Sequence, residues 1–156
     1  MDMQRWDNDW NSILRDVIFA DSELKTLMKV PSTTGILTFI EKYFIRAGFT
    51  SKLLDDEHCR VVYSDVQGSD LNTPNIRRNM LVFDIYVKYE DLHNYGKDRL
   101  QDRSHLIGNR IFKLLTKDLY CDGTGYRFTP AGAWDQGTRT IGYARYTVAL
   151  YYKKVY

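Results

Sequence analysis

At 156 residues the chain is long enough for one domain with a real core and short for two. Its 22 basic and 20 acidic residues leave a net charge of +2, without the basic excess expected of a nucleic-acid binder, and its 44% hydrophobic share is ordinary for a globular protein. The 14% aromatic share, mostly from 12 tyrosines, tilts towards an assembling surface, because tyrosine is amphipathic and enriched at interfaces.

Trp6, Trp10, Ile13, Leu14, Val17 and Ile18 recur at helical spacing and predict an amphipathic helix over about residues 4–20. "DSELKTLM" predicts a short second helix, with Asp21 or Ser22 as N-cap and a stop before Pro31. "STTGILTFIEKYFIRAG" predicts a third, opened by a Ser/Thr cap, closed at Gly48, with Ile36, Phe39, Ile40, Tyr43 and Phe44 on one side.

Beyond residue 58 the texture changes. "CRVVYSDV" reads as a strand, and "QGSDLNTPNIRRN" (67–79) as a long loop with turn chemistry throughout. "NMLVFDIYVKYED" is the second strand of the hairpin 59–90. Its odd positions, Leu81 to Tyr89, suit a core. Its even positions, Met80, Val82, Asp84, Tyr86 and Lys88, are not the plainly polar set that water calls for. "KDRLQDRSHLIGNRIFKLLTKD" predicts the clearest helix, with Asp98 and Gln101 as a capping box and Leu100, Ile107, Ile111 and Leu114 on one face. Gly108 in its middle is expected to let the helix sit close to the sheet. "GYRFTPAGAW" and "TIGYARYTVALYYKKVY" supply two more strands, the last again with one face fit for a core and one mixing aromatic, basic and hydroxyl groups. The order is ααα-ββ-α-ββ. The fold class expected is α+β, an about four-stranded antiparallel sheet with helices packed on one face, as one domain over 1–156. Residues 1–48 form its helical N-terminal segment and 59–156 its ββαββ core.

The residues point away from catalysis. His58 and Cys59 follow "DDE", but zinc sites want ligand pairs two to four apart with a second pair elsewhere, so the cluster reads as a solvated acidic turn. His93 and His105 have no Gly-flanked Ser or paired Cys nearby for a nucleophilic triad. Asp84 and Lys88 share one strand face, as in a Mg²⁺-dependent nuclease, yet Tyr86 stands where that chemistry needs a second carboxylate. No metal or cofactor is expected. Cys59 and Cys121 have no motif spacing and are read as free thiols in a reducing compartment. "MDMQRWDNDW" has no apolar signal core, and no apolar run approaches the roughly 18 residues of a membrane span. The expectation is a soluble protein made in a cytoplasm.

Taken together, four of these features resemble a known family. They are the helical segment with "DSELKTLM" and the helix bearing Ile40, Tyr43 and Phe44, the hairpin ending in "NMLVFDIYVKYED", the helix "DRLQDRSHLIGNRIFKLL", and the closing hairpin ending in "ARYTVALYYKK". This organisation resembles the tail terminator and head–tail joining proteins of tailed bacteriophages. The resemblance implies a non-enzymatic ring, usually a hexamer, at the head–tail junction of a virion, made in the host bacterial cytoplasm. Its partners would be other copies of itself, the tail tube protein and the head–tail connector or stopper, with DNA passing through the lumen and no membrane. Helices would then cover the odd face of 81–89, and neighbouring subunits much of the even face. Tyr86, Lys88, Tyr143, Arg145 and Tyr151 are the candidates for that shared surface, and Arg77 and Arg78, at the end of the long loop, for docking on tube or connector. The alternatives are another neck component (stopper or tail-completion protein), or a small cytosolic metal-dependent nuclease or binding domain.

Overall fold

The computed structural model describes residues 3–47, 59–69, 77–96, 99–117, 125–135 and 143–154. Helix α1 (Met3–Ile13) runs directly into a wider π-type turn (Leu14–Phe19), and the six residues of its apolar stripe are all buried. Asp21 caps the next helix, α2 (Ser22–Leu27), by accepting from the Leu24 amide at 2.8 Å. That helix ends in a Schellman arrangement: Val30 N donates to Lys25 O at 2.9 Å and Lys29 N to Thr26 O at 3.1 Å. Lys29 takes the left-handed conformation (φ 56°) usually left to glycine, and its ammonium reaches the buried Asp91 carboxylate.

The third helix is shorter than its periodicity suggested. It begins at Ile36 after an extended Gly35 rather than a Ser/Thr cap, and α3 (Ile36–Thr38) passes into a π-type turn ending at Tyr43. Residues Phe44–Arg46 leave the helix and form strand β1, parallel to the next strand. Aromatic and β-branched residues suit a pleated surface, and here pairing with a strand distant in sequence outweighs the helical pattern.

Strand β2 (Cys59–Ser69) and strand β3 (Arg77–Lys88) form the expected hairpin, with pairing that extends to Ser69↔Arg77. The connection is therefore shorter than 67–79, because ladder hydrogen bonds use backbone groups and continue past the apolar alternation. A turn of helix, α4 (Tyr89–Leu92), leads to a small hairpin of β4 (His93–Gly96) and β5 (Arg99–Asp102). Helix α5 (Arg103–Thr116) starts there with Asp102 as N-cap, later than the expected Asp98–Gln101 capping box: Gln101 lies in a strand, and Asp98 is outside the described residues. Strands β6 (Tyr126–Asp135) and β7 (Tyr143–Lys154) close the chain, with a bulge between Pro130 and Gly132.

The main sheet runs β1-β2-β3-β7-β6. The four expected strands pair antiparallel, and β1 makes a fifth, so the sheet is mixed rather than purely antiparallel. The class is mixed α and β. One buried cluster joins the helices to the odd side of β3 (Leu81, Phe83, Ile85, Val87) and to Val148 and Leu150 of β7. On α5 the buried positions are Ser104, Ile107, Gly108, Ile111 and Leu115. Leu114 is only partly buried beside them, and Leu100 belongs to β5. Gly108 marks the closest approach: a Cβ there would meet Tyr146 Cε1 at 2.7 Å and Val148 Cγ2 at 2.8 Å.

The N-terminal segment is held down by burial of its apolar stripe in the core, with aromatic stacking and polar contacts fixing its position. Trp6 stacks on Tyr152 with centroids 4.2 Å apart, and both donate to Asp65, each at 2.6 Å. Burial, reinforced by that carboxylate, raises the Tyr152 phenol well above its ordinary pKa. Arg110 forks onto Asp21 at 2.6 and 2.8 Å, tying α5 to the cap of α2.

Candidate functional site: the outer face of the sheet

Register decides which residues share the face away from the helices. In β3 these are Met80, Val82, Asp84, Tyr86 and Lys88, each half-buried. Across from them on β7 stand Tyr151, Ala149, Thr147, Arg145 and Tyr143, and on β2 Val66, Ser64, Val62 and Arg60. Tyr86↔Arg145 and Lys88↔Tyr143 are direct cross-strand pairs, so four of the five residues singled out from sequence come together at one end of the sheet. Tyr151 lies at the other end, opposite Met80 and Thr129.

At the centre of this face Asp84 accepts from Arg145 Nε at 3.3 Å, from Arg145 Nη2 at 3.0 Å and from the buried Thr147 hydroxyl at 2.7 Å. The Arg145 guanidinium also lies 5.5 Å from the Tyr86 ring centroid. Burial works against charge on Arg145, but the hydrogen bond and attraction to Asp84 outweigh it, and its pKa ends above the ordinary value. Burial raises the Tyr86 phenol, with Arg145 opposing. Arg145 is therefore committed within its own subunit rather than free to meet a neighbour. Tyr143 is nearly buried, at 9% exposure.

Arg77 and Arg78 do not end a loop. They open β3, paired with Ser69 and Gly68. The Asp84–Lys88 reading as a nuclease site meets a carboxylate whose two oxygens are both taken by Arg145 and Thr147. Among the described residues no three His, Cys, Asp or Glu side chains gather as a metal-binding group; the "DDE" turn and His58 lie outside those residues. His105 sits on α5 with Nε2 3.0 Å from both oxygens of Asp135, its ring against Tyr146. Cys59 is a free, buried thiol whose pKa burial pushes up to about 12, which leaves it a poor nucleophile; Cys121 lies outside the described residues. No described helix is long and apolar enough to cross a membrane.

Sequence reasoning missed Trp134. It stands on edge strand β6 opposite Thr147, on the same outer face, 47% exposed. The signal in "AGAWD" is a large aromatic among small residues on a strand, which without the register could equally have faced the core.

Compared with protein-family models, with curated proteins and with solved structures, the chain matches none.

Proposed function

We propose that this chain is a structural virion protein of a tailed bacteriophage, forming a ring, hexameric by resemblance, that caps the tail tube and joins it to the head connector. One observation carries the reading: the helices of the described chain pack on the odd face of the sheet, while the even face presents Met80, Val82, Tyr86, Val62 and Tyr151 around a neutralised ion pair. A sheet with one face in water alternates apolar and polar residues. An even face that sets Tyr86, Tyr143 and Tyr151 with Met80 and Val82 around one internally paired Asp84–Arg145 instead suits the buried part of an interface. In the ring, neighbouring copies cover part of that face through a contact that repeats around the axis. DNA passes through the lumen without base-specific contact, and the tube and connector proteins meet the two rims.

Charge placed on the outer face tests this. Tyr86→Glu with Lys88→Glu leaves Arg145 on Asp84 and puts two carboxylates where a neighbour would bury them, which is costly without partners. The expected result is a folded protein whose phage particles, in negative-stain micrographs, carry tails of irregular length or tails detached from heads. Normal tails on full heads would remove the reading.

A further inference from the structure

Charge is spread unevenly over the two faces of the sheet. The whole chain is almost balanced, with 22 basic and 20 acidic residues. On the outer face, however, the described side chains include five bases, Arg60, Lys88, Arg127, Arg145 and Lys153, against one carboxylate, Asp84. Asp84 is taken by Arg145 and Thr147, and the buried Arg60 donates to the Lys42 carbonyl at 3.0 Å. Lys88, Arg127 and Lys153 have no hydrogen-bond or ion-pair partner among the described residues. Arg127 and Lys153 are exposed and stand directly opposite each other in the ladder, a like-charge pair that opposes strand pairing. By contrast, on the helical side Asp21 and Glu23 share Arg110, and Asp91 holds Lys29. The same outer face carries flat aromatic surface. The Trp134 ring lies over Gly132, where a Cβ would meet its Cζ3 at 3.2 Å, and the side chain stays 47% exposed. The indole is thus laid along the sheet as a platform. Tyr86 and Tyr151 are half-buried on that face, one towards each end.

We infer that the outer face of the sheet binds single-stranded nucleic acid without sequence preference, with phosphates held by Arg127, Lys153 and Lys88 and a base stacked on Trp134. The inference goes beyond the ring reading and concerns a copy whose outer face no neighbour covers. From Arg145 to Lys153 the face runs eight strand steps, about 27 Å at about 3.4 Å each, so a short strand lying along β7 meets cations at both ends and the indole between them. Unpaired cations and a flat exposed ring on one surface suit a polymer that has both a charged backbone and open bases, and every base offers a face on which to stack. A duplex offers the charge but keeps its bases stacked inside. An acidic peptide offers the charge without the flat partner.

Fluorescence tests it directly, because Trp6 and Trp10 are buried and Trp134 is the exposed indole of the three. The full chain is titrated at low salt with a fluorescein-labelled oligothymidylate, a labelled duplex of the same length, and polyglutamate as unlabelled competitor. Indole quenching and label anisotropy are followed, with thermal melts as folding controls. Oligothymidylate should quench the indole and bind at least about fivefold more tightly than duplex, the lower end of what one stacked base contributes. Trp134→Ala should weaken the anisotropy-measured binding by at least about fivefold for the same reason. Arg127→Gln with Lys153→Gln should lower the slope of log affinity against log salt by about 1.4, at about 0.7 for each lost phosphate contact. No binding of oligothymidylate up to about 1 mM, or a Trp134→Ala variant that binds like wild type, overturns the inference. Duplex binding as tightly, or polyglutamate competing as well as unlabelled oligothymidylate, overturns it too, the latter assigning the face to an acidic protein. None of these outcomes touches the ring, which the particle micrographs test separately.

Discussion

The two faces of the central sheet are built from alternate residues of the same strands, yet they solve burial differently. On the inner face Phe83, Ile85 and Leu150 lose all contact with water under α1 and α5. On the outer face the same strands carry Asp84, Arg145 and Thr147, which satisfy one another, among apolar side chains that remain half-exposed. The inner face is closed by its own chain and owes its energy to area and fit. On the outer face the central carboxylate is satisfied, and the β3 side chains around it stay half-covered. The difference teaches that the two faces of one sheet can be altered separately, the inner one through packing and the outer one through its polar network.

Truncating the inner face should have the largest effect. Ile111→Ala opens a cavity between α5 and the sheet and should cost about 2–5 kcal/mol in urea unfolding. A loss below about half a kcal/mol would mean that α5 does not seal this face, since surface changes stay within that range.

Cutting the outer network should cost less. Asp84→Ala leaves the Thr147 hydroxyl, 2% exposed, and a half-buried guanidinium without their acceptor. A loss of about 1–2 kcal/mol is expected, low in the range for unsatisfied polar groups because water still reaches Arg145. Measuring Asp84→Ala, Thr147→Val and the double variant by chemical denaturation checks it: additive losses would show that the three groups do not act as a unit.

Gly108→Ala sharpens the comparison, because propensity and packing disagree there. Alanine should gain about 1 kcal/mol as a helix former, but its methyl group would meet the Tyr146 ring and Val148, and overpacking costs about 1–3 kcal/mol. A net loss of up to about 2 kcal/mol is expected by the same comparison of the two ranges. A higher melting temperature would show that α5 rides further from β7 than described.

The helical cover has a pH signature of its own. The Arg110 hydrogen bond, against burial and helped by the Leu24 amide, holds Asp21 below the usual carboxylate range. Its contribution is thus present above the unfolded value of about 3.9 and is lost as pH falls through the lower folded value. Asp21→Asn keeps a capping oxygen but gives up the charge facing Arg110, and should cost about 1 kcal/mol at neutral pH. The gap from wild type should narrow as pH falls below about 4, and a gap that stays constant down to acid pH would exclude the ionised cap. The smallest stability effect belongs to the outer face: Tyr86→Glu with Lys88→Glu should shift unfolding by only about 0.5 kcal/mol while disrupting particles.

Periodicity in the sequence by itself determined which side of each long element is dry. The alternation from Leu81 to Val87 and the Trp6-to-Ile18 stripe hold residue for residue, because local geometry fixes side-chain direction at period 2 or 3.6. It also showed that the even face of β3 is not plainly polar. Only the tertiary structure decided what depends on partners far along the chain. Phe44–Arg46 became a strand because β2 offered an open edge, and α5 began at Arg103 because residues 99–102 pair with 93–96. Leu115 rather than Leu114 took the last buried position, completing a 107–111–115 ridge where the helix crosses β7. Arg145 turned inward to Asp84 because register set it beside Tyr86, one step from that carboxylate. Trp134 came to face outward because the bulge after Pro130 shifted its parity. Each of these rests on long-range pairing, whose energy no local pattern of residues encodes.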